Sequence, residues 1–207
     1  DLTYEDFLGF HRTYYHPSNA RIFLYGDIPG DRHLDFLDRT FLSHFERLDV
    51  DFDVPLQPRW AQPRDRVVTC PTDGEDGPTS ITVSWLLDAV TDPRGLIAHE
   101  LLSYILLGTS AGPLRKRLIE SGLGEELSAP TGLETDLREM IFGVGLRGTS
   151  PEKKADVERL VLDTLADVVR DGLDADVVEA AFRKVEFRNR EIRGGAPNGL
   201  RLMSKSL

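Results

Sequence analysis

The amino-acid order predicts an α+β fold, helices packed on a sheet, and three observations carry that expectation. Ile81, Val83, Trp85 and Leu87 alternate with Ser80, Thr82 and Ser84, the period of a strand with one buried face. Elsewhere, apolar residues recur at helical spacing over long stretches. The order from residue 80 onward is strand, two helices, two strands, then helices, which is not a parallel βαβ series. The 207 residues are 40% hydrophobic and 29% charged, enough for one large or two small domains.

Thr3-Tyr4-Glu5-Asp6 has the form of a capping box, with Asp in the place of Glu, and opens a helix. Phe7, Phe10, His11 and Tyr14 fall on one face of it, expected to be buried. His16-Pro17-Ser18-Asn19 ends that helix, because Pro disfavours helical geometry in the residue before it. Residues 20–25 are a short apolar run closed by Gly26-Asp27 and read as a strand. A second helix is expected over residues 31–47, with Leu34, Leu37, Phe41 and Phe45 on one side.

Pro55, Pro58, Pro63, Pro71 and Pro78 then mark residues 48–78 as a linker, with one strand allowed at residues 66–70. Too many backbone donors are missing there for a helix or a central strand. After the strand near residue 80, residues 96–107 are apolar on nearly every side and predict an enclosed helix. Residues 113–121 predict a shorter, basic helix ended by Gly122. Strands follow near residues 125–131 and 138–147, the second with Met140, Phe142, Val144 and Leu146 alternating with Ile141, Gly143 and Gly145. Ser150-Pro151 supplies an N-cap and a first-turn proline. The helix after it buries Val157, Leu160, Val161 and Val168 and stops at Gly172; Asp174 caps another, with Val178, Ala181, Phe182 and Val185 inward. Residues 200–207 read as helix that continues past the last residue, as in a piece of a longer protein.

Composition narrows the function. A net charge of −10 argues against a binder of nucleic acid or of an anionic membrane. No apolar run reaches the length of a membrane span, and no signal peptide is expected. The single cysteine, Cys70, leaves no internal disulfide and no cysteine-based zinc site. His11, His16, His33, His44 and His99 form no H-E-x-x-H or H-x-x-E-H motif: after His99-Glu100, the positions for a second His hold Ser103 and Tyr104. No G-x-S-x-G elbow occurs. Gly122-Leu123-Gly124 follows a helix, lacks a third glycine and reads as a helix stop; Arg115-Lys116-Arg117 reads as a solvated helix face. No catalytic constellation is present.

Two longer stretches carry a resemblance. Phe10-His11-Arg12-Thr13-Tyr14-Tyr15-His16-Pro17-Ser18-Asn19-Ala20-Arg21-Ile22-Phe23-Leu24-Tyr25-Gly26-Asp27 resembles a segment of the presequence-protease branch of the insulinase-like (M16) zinc peptidases. Leu106-Leu107-Gly108-Thr109-Ser110-Ala111-Gly112-Pro113-Leu114, with Leu118-Ile119-Glu120-Ser121-Gly122-Leu123-Gly124, resembles a second stretch in the same order, and Gly199-Leu200-Arg201-Leu202 a third. The resemblance implies layers of sheet and helix in related α+β domains. Residues 1–47 would close a first domain beyond its zinc ligands, and residues 79–207 would form most of a second, non-catalytic domain. Zinc is then implied for the full-length parent, with no cofactor, catalytic residue or metal ligand expected in this fragment.

The same resemblance implies partners: the remainder of its own polypeptide and peptide substrates, in a bacterial cytoplasm or an organellar matrix. Self-association of the isolated fragment through an uncovered apolar face is also expected. Insulinase-type relatives anchor a peptide's N-terminal end on a glycine-bearing turn and a neighbouring strand of the second domain. The matching positions are Gly108, Thr109 and Ser110, and Ala129, Thr131 and Gly132. Glycine admits a close backbone, and strand edges bind extended peptides through main-chain hydrogen bonds. Pro130 departs from that use by removing one donor. The alternatives are that Gly108 merely ends a helix and Gly132 merely bends the chain. The rival function is a non-peptidase M16 relative, a processing or structural subunit, distinguished by whether H-x-x-E-H stands upstream.

Overall fold

The computed structural model describes residues 2–49, 53–69, 79–191 and 197–206. Its helices are α1 (Tyr4–Tyr14), α2 (Gly30–Thr40), α3 (Pro93–Leu107), α4 (Pro113–Glu120), α5 (Lys154–Asp171), α6 (Ala175–Arg190) and α7 (Pro197–Ser206). Its strands are β1 (Thr79–Ala89), β2 (Glu126–Leu127), β3 (Gly132–Glu134) and β4 (Glu139–Thr149). The mixture is α+β. The chain divides into two compact units, Asp1–Pro55 with Ile192–Leu207, and Leu56–Glu191.

In the first unit, Thr3 and Asp6 form the capping box: the Asp6 N–H donates to Thr3 Oγ1 at 3.1 Å, and the Thr3 N–H to Asp6 Oδ2 at 3.2 Å. Residues 20–25 carry neither helix nor strand, against expectation. A strand needs a partner for its backbone groups, and the described residues of this unit contain helices and turns alone. The second helix is shorter than expected: Phe41 leaves helical geometry at φ −138°, and a 3₁₀ turn follows at Leu42–His44. The stripe of α1 has helical period but is not buried. Phe7 and Phe10 remain 56% and 58% exposed, and α1 and α2 bury no residue. Helical period orients a face; burial requires another surface to receive it.

The second unit is a four-stranded antiparallel sheet. β1 pairs with β4 from Thr79↔Thr149 to Ala89↔Glu139, and β2 and β3 pair with the other edge of β4. Val144 and Leu146 meet Leu106 and Leu107 of α3, Leu114 and Leu118 of α4, and Val157 and Val161 of α5 in one core. Leu101 and Ile105 of α3 pack on Ala181 and Val185 of α6 in a smaller one. Phe182, expected inward, is 55% exposed. It follows Ala181 directly, so the helical turn of about 100° per residue carries it off the α3 contact.

Three boundaries differ from the reading of the sequence. Helix α3 begins at Pro93 because Asp92 accepts from the Arg94 and Gly95 N–H groups, at 3.1 and 3.2 Å. The strand expected at 125–131 is split into β2 and β3, with Pro130 in the gap. Pro151 opens a 3₁₀ turn, Pro151–Lys153, before α5, and Ser150 makes no side-chain cap bond. Residues 66–69 join no ladder, and Cys70 lies outside the described residues. The stretch before them is nonetheless tied to the second unit. The Gln57 N–H donates to Glu139 Oε2 at 2.6 Å, and Lys154 pairs with Asp65.

Candidate functional site

The six candidate residues lie on two features of the second unit. Gly108, Thr109 and Ser110 form the exposed turn between α3 and α4. The Gly108 N–H donates to the Tyr104 carbonyl at 2.7 Å, so this glycine does end the helix. A Cβ on it would stand 2.4 Å from the Tyr104 ring and 2.6 Å from that carbonyl. The Gly112 N–H closes the turn on the Thr109 carbonyl at 3.0 Å.

Ala129, Thr131 and Gly132 occupy the break between β2 and β3. The Ser128 N–H donates to the Gly145 carbonyl at 3.0 Å, and Thr131 Oγ1 donates back to the Ser128 carbonyl at 2.5 Å. Residues 128–131 therefore hug β4 without forming a ladder. Gly143 makes room: a Cβ there would lie 2.7 Å from the Pro130 carbonyl oxygen. Gly132 has φ +117°, open to glycine and strained for other residues, and pairs with Gly143. Its Cβ position is free, with Ser103 Oγ of α3 the nearest group at 3.8 Å.

Helix α3 thus joins the two features. Ser103 borders Gly132, and Gly108 ends the same helix five residues later. Ser103 was not among the sequence candidates; its proximity depends on how α3 crosses β3, which no local pattern encodes. Among the described residues, β3 pairs with β4 alone, so no strand lies on its other edge, the kind of edge to which an extended backbone can add.

Charge elsewhere is structural. Asp167 of α5 accepts from Arg117 of α4 at 2.6 Å and from Arg170 at 2.8 Å. The Arg117 hydrogen bond, with the charge of Arg170, holds the Asp167 carboxyl below its ordinary range. A cavity of about 300 Å³ beside this cluster is floored by Ile105, Val168 and Val177. No group of three His, Cys, Asp or Glu side chains stands together as a metal set among the described residues, so they do not fit a zinc site. His99 Nδ1 lies 2.8 Å from the Gly95 carbonyl, and His16 Nδ1 accepts from the Ser18 N–H at 3.1 Å. No helix of the described residues is long and apolar enough to cross a membrane.

Residues 1–185 match the family model described as the peptidase M16 inactive domain. The chain is 40% identical to presequence protease 1, chloroplastic/mitochondrial, of Arabidopsis thaliana, over all of this chain and 20% of that protein. It is 37% identical to the mitochondrial presequence protease of Xenopus tropicalis, over 91% of this chain and 19% of that protein. The chain therefore spans about a fifth of the length of these relatives. Among solved structures, a protease from Helicobacter pylori superposes with a TM-score of 0.64 at 16% identity, over 99% of this chain and 49% of that one, a likeness of fold.

Proposed function

This chain belongs to the peptidase M16 family, as its inactive domain, and on that premise we propose that it is the non-catalytic portion of a larger zinc metalloendopeptidase that holds peptides for cleavage. Zinc, and the Glu that activates its water, would be supplied by the rest of the polypeptide. The exposed aromatic faces of α1 and α2 support that setting, since such patches mark surfaces that pack on something else. The second unit would form chamber wall. The compartment would be a bacterial cytoplasm or an organellar matrix, the latter in keeping with the names of the two relatives above.

The observation that carries the peptide-holding role is the edge of β3 that pairs with no strand among the described residues, with Gly132 bordering Ser103 of the helix that Gly108 ends. An extended peptide added there would make main-chain hydrogen bonds, with residues 132–134 as the receiving strand and Thr109 and Ser110 near its end. The test needs no change to the protein. Full-length protein is titrated with a long peptide and with copies N-methylated at single backbone nitrogens. Losing one or two such bonds should lower affinity by about two- to a hundredfold at alternate positions. Uniform affinity across the methylated series refutes strand addition.

A further inference from the structure

We infer that Glu139 and Arg59 form a latch that positions the peptide-holding edge; the inference rests on the β3 reading above. Glu139 is the one buried carboxylate among the described residues, 7% exposed. A buried charge persists where it is paired and hydrogen-bonded. Its partners come from a segment the sequence marks as linker. Oε2 accepts from the Gln57 N–H at 2.6 Å, and Oε1 lies 3.3 Å from the Arg59 guanidinium. The same guanidinium donates to the Leu86 and Leu87 carbonyls, at 2.6 and 2.5 Å, where the β1–β4 register slips between Leu86 and Ala89. One arginine thus bonds β1 and β4 together at one of the two ends where their ladder is irregular.

That end of β4 carries the candidate edge. β3 pairs with β4 at Ile141, Phe142 and Gly143, two to four residues beyond Glu139. It is three residues long and has no other ladder among the described residues, so its place follows that of β4. β2 pairs instead at Leu146 and Arg147, where Leu146 is fully buried in the main core. Releasing the latch should loosen β3 and spare β2. Glu139 and Arg59 touch no peptide in this arrangement; they are positioning residues.

The test uses full-length protein with Arg59→Ala, Arg59→Lys and Glu139→Gln. Arg59 is half exposed and belongs to neither hydrophobic core. In Arg59→Ala, amide hydrogen exchange should quicken about tenfold or more at residues 133–134 and 141–142 while Leu127 and Leu146 keep their rates, and affinity for the unmethylated peptide should fall about tenfold. Arg59→Lys, which keeps the charge beside Glu139, should restore part of both. Glu139→Gln should behave as Arg59→Ala does. Faster exchange spread evenly over β2, β3 and β4 would make the latch a general brace and overturn the inference. So would unchanged peptide affinity in a protein still sensitive to peptide N-methylation, with the edge reading left standing. Insensitivity to N-methylation in the unaltered protein sinks the edge reading itself, and the latch's role in binding with it.

Discussion

Replacing Gly132 by alanine separates a backbone role from a binding role at the centre of the candidate edge. The added methyl has room, since the nearest group is Ser103 Oγ at 3.8 Å, an ordinary contact. The cost must then come from the backbone, because φ +117° is unfavourable for any residue with a Cβ. Holding a non-glycine residue in such a region costs about 1–3 kcal/mol. No cavity or overpacking contribution adds to it. Urea unfolding of the chain, followed through Trp85, which lies 6.0 Å from the Phe142 ring on β4, should report a loss in that range. A loss under about 0.5 kcal/mol would mean that the position does not hold a positive φ, and one above about 4 kcal/mol would require a clash that the geometry excludes. Peptide titration of the same variant in the full-length protein completes the experiment. Affinity that falls further than the stability loss explains would support the edge. Unchanged affinity with lowered stability would reduce Gly132 to a turn residue.

Two further perturbations test the frame that holds this edge. Gly145→Ala would place a methyl carbon 1.9 Å from the Ile81 carbonyl oxygen, between strands whose side chains fill the main core; thermal unfolding should register a loss of about 3 kcal/mol or more, and a near-neutral result would contradict the β1–β4 pairing. The Arg117–Asp167 contact between α4 and α5 should stabilise the fold at neutral pH and fade in acid. Its carboxyl is held below the ordinary value of 3.8, so the contribution is present above that value and is lost as pH falls through the depressed one. The stability gap between the unaltered chain and Asp167→Asn should therefore be steady near neutrality and close below about pH 4; a gap undiminished at about pH 2 would refute the assignment.

Local signals were legible wherever a residue acts on its own neighbours in the chain. Thr3 with Asp6, and Asp174 with the Asp176 N–H at 2.8 Å, cap helices through atoms two or three residues away. The alternation in residues 80–87 and 140–146 fixes which side chains of β1 and β4 share a face before any partner is known. The two glycine-bearing stretches were likewise visible as words in the chain. What residues distant in sequence do to one another was decided by the tertiary structure alone. The aromatic stripe of α1 has the right period yet stays exposed, because burial is a property of two surfaces and its own helix supplies one. The strand expected at 125–131 broke into β2 and β3 because its ladder depends on β4, against which Pro130 offers no N–H and Gly143 admits its carbonyl. The Arg59–Glu139 latch joins residues far apart in the chain, and Gln57 meets Glu139 across 82 residues. Spacing within a segment encodes which way a side chain faces, and only the closed fold determines what stands there to meet it.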